Sequence, residues 1–90
     1  MDYIDRLKKL CEFEELTREE LAEKTNLRYV RLSNVLQKRG KIRAEEIEAI
    51  GKAFPEYKMW LAYGEELPEA GQISPMTKKI TEDYRKTGGD

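Results

Sequence analysis

The sequence has no histidine and only one cysteine among its 90 residues. Zinc ligation by Cys and His, a disulfide framework and a His-based catalytic triad are therefore excluded, and a reducing, cytoplasmic setting is expected. No apolar run approaches ~18 residues, so no membrane span is expected, and the acidic, interrupted N-terminus does not read as a signal peptide. With three prolines and six glycines, the chain has too few of either for a disordered protein. Nothing in this composition calls for a metal, a cofactor or a small-molecule effector.

What is present is 39% apolar and 39% charged residues, enough for one small domain with one modest core. The net charge of −1 argues by itself against a nucleic-acid partner. Its distribution argues the other way. Between Lys24 and Ala44 stand Lys24, Arg28, Arg31, Lys38, Arg39, Lys41 and Arg43, and no acid; the 18 acids all lie outside that window. The molecule should be strongly dipolar, with a basic end that faces a polyanion or simply solvent.

A first helix is expected from an Asp2 cap to about Glu14, with Asp5 in its first turn and Ile4, Leu7, Leu10 and Cys11 on its apolar side. Cys11 reads as a small core residue, a reactive thiol being the second choice. Thr17 and Glu20 have capping-box spacing, so a second helix begins at Arg18, buries Leu21 and Ala22, and ends at Thr25-Asn26, where Asn tolerates a left-handed turn. Leu27 plugs the corner. A third helix carries Leu32, Val35 and Leu36 on one face. Pointing away from them are Val30, Asn34 and Gln37, flanked by Ser33 on one side and Arg31 and Lys38 on the other. Asn or Gln can bond adenine in bidentate fashion, an apolar group can meet a thymine methyl, and flanking cations can meet phosphates, so the face suits a DNA major groove. A merely solvated helix face has a similar composition. As a unit, Thr17 to Leu36 reads as a helix-turn-helix.

The basic turn Lys38-Arg39-Gly40-Lys41-Ile42-Arg43 follows, with Gly40 as its permissive backbone. A fourth helix, about Ala44 to Phe54, opens with Glu45 and Glu46 and carries Ile47, Ile50 and Phe54 inward. Pro55 breaks it. A fifth, about Glu56 to Tyr63, turns Tyr57, Trp60 and Leu61 inward and stops at Gly64; Trp60 reads as a core lid rather than a ligand platform. Glu65 to Ile73 lacks periodicity and reads as a loop or extended arm. Ser74-Pro75 opens a further helix whose stripe, Met76, Ile80 and Tyr84, packs on its own domain or on a second copy.

The order of these elements resembles the lambda-repressor-like DNA-binding domain of phage repressors and Cro proteins. Leu16-Thr17, Glu20-Leu21-Ala22, Leu27 and Leu32 carry the resemblance, with Lys38-Arg39-Gly40-Lys41-Ile42, Ala44-Glu45 and Trp60-Leu61-Ala62-Tyr63-Gly64-Glu65 closest to the phage-repressor branch. Departures are Arg28 at the start of the recognition helix, Asn26 for the common Gly between the two helices, Arg43 for the Pro after Ile42, and an extra residue in the basic turn. The resemblance implies an all-α, compact five-helix bundle with the helix-turn-helix at helices two and three and a short C-terminal helix. The expected division is a DNA-binding domain over 1–66, a loop or arm over 67–73, a C-terminal helix over 74–86 and a frayed tail over 87–90.

By the same resemblance, Tyr29, Val30 and Asn34 match base-reading positions, and Gln37, Lys38, Arg39 and Lys41 match a backbone-binding loop. Arg18 stands where the family often has a phosphate-binding Gln. Together with the helical spacing, this assigns base reading to Tyr29, Val30, Arg31, Ser33 and Asn34 and phosphate binding to Arg18, Arg28, Gln37, Lys38, Arg39 and Lys41. The expected function is a sequence-specific double-stranded DNA-binding regulator, a repressor of Cro or prophage type, bound as a homodimer to a two-fold-symmetric operator. The other reading is a protein-interaction module, an antitoxin or adaptor, that uses its apolar C-terminal segment. An enzyme is not expected, since no carboxylate falls in an apolar pocket with a partner, and no Ser-Lys peptidase dyad can be argued where a full phage repressor would continue.

Overall fold

Two reciprocal capping boxes start the first two helices. The Asp5 N–H donates to Asp2 Oδ1 at 2.8 Å and the Asp2 N–H to Asp5 Oδ2 at 3.3 Å. The Glu20 N–H donates to Thr17 Oγ1 at 3.1 Å while Glu20 Oε1 accepts from the Thr17 N–H at 2.8 Å. Each pair satisfies two of the backbone donors that a helix start leaves free. The structure is a computed structural model that describes residues 1–88. These residues form α1 (Tyr3–Phe13), α2 (Arg18–Thr25), α3 (Tyr29–Leu36), α4 (Ala44–Ala53), α5 (Lys58–Tyr63) and α6 (Pro75–Gly88), with 3-10 turns at Pro55–Tyr57 and Pro68–Ala70. No strand occurs among the described residues.

Besides Asn26 after α2, two helices end on left-handed residues other than glycine. Glu15 follows α1 at φ 55° and Lys38 follows α3 at φ 59°. In both, the next N–H reaches back to the third-from-last carbonyl: Leu16 to Cys11 at 2.8 Å and Arg39 to Asn34 at 2.8 Å. This is the Schellman closure, usually built on Gly.

The core joins Leu7 and Leu10 of α1, Leu21 of α2, Leu32, Val35 and Leu36 of α3, Ile50 and Phe54 at α4, and Tyr57, Trp60 and Leu61 around α5. Ile4, Cys11, Ala22 and Leu27 pack at its margin, half-buried. Helix α4 stops at Ala53, one residue before the expected end, and the expected fifth helix divides into a 3-10 turn and α5. Pro55 explains both, because it lacks an N–H and cannot continue the α ladder. The Tyr57 N–H bonds Phe54 O instead, at 3.0 Å.

The segment expected as a loop or extended arm is a pinned loop. Leu67 and Gln72 exchange backbone hydrogen bonds of 2.7 and 3.1 Å across the Pro68–Ala70 turn. The Gln72 side chain then ties this loop to Met59 N and Pro55 O, each at 2.9 Å.

Helix α6 opens as expected, with the Thr77 N–H on Ser74 Oγ at 3.1 Å and Pro75 buried in its first turn. It runs to Gly88, past the end expected at residue 86. Its two readings divide along its length. Met76 packs on the core, and the Lys78 ammonium sits 3.6 Å from Glu14, 3.5 Å from Glu56 and 5.7 Å from the Tyr57 ring centroid. Farther on, Ile80 and Tyr84 are 70% and 71% exposed, so that end of the stripe is left largely uncovered by its own domain. Of the expected tail, Gly89 and Asp90 lie outside the described residues.

Candidate nucleic-acid interface

Helix α3 is aimed by the turn before it. Thr25, buried at the end of α2, donates its hydroxyl to Leu21 O at 2.7 Å, and Asn26 takes the left-handed conformation at φ 60°. Arg28 then stands in extended backbone as the α3 cap, with no side-chain capping bond. With Leu32, Val35 and Leu36 buried, helical geometry forces Val30 and Tyr29 outward, and they are 68% and 44% exposed. Ser33 and Asn34 are half-buried beside them, and Gln37 is exposed at the helix end.

The cations divide into two sets. Arg28, Arg39 and Lys41 are exposed, as is Arg43. Three others are engaged within the molecule. Arg18 Nη1 donates to Ser33 Oγ at 2.8 Å, which lays the start of α2 across the α3 face. Lys38 Nζ lies 3.1 Å from Asp2 Oδ2 and 3.0 Å from Asp5 Oδ1. Its bond to Asp5, with that to Asp2, holds its pKa above the ordinary lysine value. Asp2 is held below its own ordinary value, first by the Asp5 backbone N–H and then by Lys38.

Arg31 is the third. Its Nε donates to Glu46 Oε2 at 2.7 Å and its Nη2 to Glu46 Oε1 at 2.9 Å, and Nη2 also reaches the Lys41 carbonyl. The pair is more buried than its neighbours, with side chains 24% and 7% exposed. Bonding to Arg31 lowers the Glu46 pKa, against the opposing effect of its burial. Of the residues assigned to base reading, Tyr29, Val30, Ser33 and Asn34 share the outer α3 surface, while the Arg31 guanidinium is turned toward α4.

From sequence alone, Glu46 has only a place in the first turn of its helix. Its three-residue spacing from Arg43 was the available signal, since the Arg43 N–H donates to Glu46 Oε1 at 2.8 Å. A separate recess of about 1010 Å³ lies along α4 and α5, against Ile47, Met59 and Tyr63, and includes no member of the α3 face. No group of three His, Cys, Asp or Glu side chains that could hold a metal occurs among the described residues, and none of their helices is long and apolar enough to cross a membrane.

Fold and surface together define a small all-helical domain that presents a short helix with an apolar and polar outer face beside a basic loop. No protein-family model matches the chain, and no curated protein does. Among solved structures it is similar to Pf6r from the filamentous phage Pf6 of Pseudomonas aeruginosa PA01. The two share 28% sequence identity at a TM-score of 0.74, over 92% of this chain and 96% of that one. Its fold is thus that of a phage protein of nearly the same length.

Proposed function

We propose that this chain is a sequence-specific double-stranded DNA-binding regulator, a repressor of Cro or prophage type, with α2 and α3 as its helix-turn-helix. The observation that carries the reading is the acid-free window from Lys24 to Ala44, which spans the end of α2, all of α3 and the basic loop after it, in a chain of net charge −1. The likeness to a phage protein adds support. Helix α3 enters the major groove, Val30 meets a thymine methyl, Asn34 bonds an adenine edge, and Tyr29 and Ser33 complete the contact. Arg28, Arg39 and Lys41 meet phosphates and fix the register.

One eight-residue helix reads only a few base pairs, so two copies on half-sites about 34–36 Å apart are the natural arrangement. The exposed Ile80 and Tyr84 on α6 are the surface proposed to join them. The same pair also favours a second reading, in which an antitoxin-like or adaptor module binds another protein through α6.

Selection from a random duplex library at fixed, stated salt tests the first reading. It expects enrichment of a two-fold-symmetric site whose affinity falls steeply with salt and is lost on Val30→Ala with Asn34→Ala. No enrichment at low salt sinks it. The second reading expects Ile80→Glu with Tyr84→Glu to abolish activity while the α3 variants retain it.

A further inference from the structure

Helical spacing puts Arg31 among the base readers, and the position of its guanidinium argues otherwise. Arg and carboxylate match as two parallel forks, and here the fork is complete: Nε and Nη2 each donate to one oxygen of Glu46. Aiming Arg31 at a base edge would strip a 7% exposed carboxylate of its counter-ion. The pair also holds the basic loop. The Lys41 carbonyl accepts from Arg31, and the Arg43 N–H donates to the same Glu46 oxygen that Nη2 contacts. Between the Schellman closure at Lys38 and Arg39 and the start of α4 at Ala44, the loop has no regular structure and takes a left-handed turn at Gly40, φ 86°. A Cβ at Gly40 would lie 3.6 Å from Arg31 Nη1, so the loop backbone passes close over the guanidinium.

We infer that Arg31 is a positioning residue: with Glu46 it forms a latch between α3 and α4 that pins Lys41 and Arg43 and so sets where the loop cations stand, and it reads no base. The role in DNA contact rests on the proposed function. The latch itself does not.

Four proteins test it: wild type, Arg31→Met, Glu46→Gln and the double variant. The first assay needs no DNA and measures initial tryptic cleavage within residues 38–43, with helicity followed by circular dichroism. Because cleavage tracks the population of the opened form, both single variants should be cut about tenfold faster there, and the double variant no faster than either. Equal rates in all four overturn the latch. Should Arg31→Met, which strips the 7% exposed Glu46 carboxylate of its counter-ion, fail to fold, Glu46→Gln, which leaves unpaired only the more exposed Arg31 guanidinium, carries the comparison.

The second assay is duplex selection. The latch expects Arg31→Met and Glu46→Gln to weaken every duplex by one common factor and keep the preferred sequence, with no rescue by Arg31→Lys, whose ammonium cannot make the fork. A changed base preference in Arg31→Met alone makes Arg31 a base reader and overturns the inference. If wild type selects no duplex, the DNA reading fails, and the cleavage assay still decides the latch.

Discussion

Tyr57→Phe isolates one hydroxyl in the core. The Tyr57 ring is fully buried, stacked 6.4 Å from Phe54 between centroids, and its hydroxyl donates to the Glu14 carboxylate. Phe keeps the ring and removes only that bond. Hydrogen bonds to charged groups contribute about 1.5–3 kcal/mol. Glu14 is 29% exposed, so water replaces part of the lost partner, and the low end, about 1.5 kcal/mol, is the expected deficit at pH 7.

Alkaline pH should then erase it. Burial, first, and the Glu14 hydrogen bond, second, raise the Tyr57 pKa well above its ordinary value of 10.0. A folded-state pKa raised above the unfolded one gives stability that is complete below pH 10 and is lost above it, because the unfolded phenol ionises while the folded one does not. By pH 11 that loss is about 1.4 kcal/mol in wild type and absent in Tyr57→Phe. Tyr3, raised by its burial to about 12, titrates in both proteins and cancels. Urea unfolding followed by circular dichroism between pH 7 and 11 should show two stability curves converging about one unit above pH 10. A gap that stays constant with pH, or no gap at pH 7, would refute the reasoning.

Glu15→Gly should stabilise the domain by about 0.5–1 kcal/mol, visible as a rise of several degrees in Tm, because the strain of a left-handed Glu outweighs the added freedom of the unfolded chain. Asn26→Gly should give less, since Asn already tolerates that conformation. Burial raises the Cys11 thiol from 9.0 to about 11, so a thiol-specific disulfide reagent at pH 8 should label the native protein on the order of a hundredfold more slowly than the urea-unfolded chain; equal rates would contradict the packing. For DNA binding, a dimer using only Arg28, Arg39 and Lys41 from each copy should show a salt slope of about −5, whereas free Arg18 and Lys38 would raise it to about −9.

The parts of this fold legible in the sequence are those written within one helical turn. Thr17 with Glu20 and Ser74 before Pro75 are local signals, and they set helix starts where the structure has them. Asn26 and Gly64 likewise mark stops, both left-handed. Glu15 and Lys38 fill the same backbone role without its usual residue, so composition gave no sign of them. The less legible contacts join distant residues. Arg31 meets Glu46 15 positions away, Lys38 meets Asp2 36 away, and Tyr57 meets Glu14 43 away. A cation on a helical wheel shows which way its Cβ points, and a long side chain can still turn back. Val30 and Asn34 have short side chains, so for them the wheel reading left little room for error.

That difference shapes how the proposed interface would discriminate. The acid-free window suggests a face dense in free cations, yet Glu46, Asp2 and Asp5 from outside the window occupy Arg31 and Lys38. The outer surface of α3 is left to Tyr29, Val30, Ser33 and Asn34, none of them cationic, while exposed cations stand at its two ends, Arg28 before it and Arg39 and Lys41, beside the acid-paired Lys38, after it. On the proposed reading, sequence-independent attraction is confined to phosphates at the margins, and the groove is met by groups whose energy depends on base identity. A net charge of −1 lowers the non-specific background further. Since a regulator is judged by its ratio of specific to non-specific binding, the buried pairing of Arg31 with Glu46 would improve selectivity by removing attraction that every sequence offers equally, and the solvent-exposed pairing of Lys38 would add less.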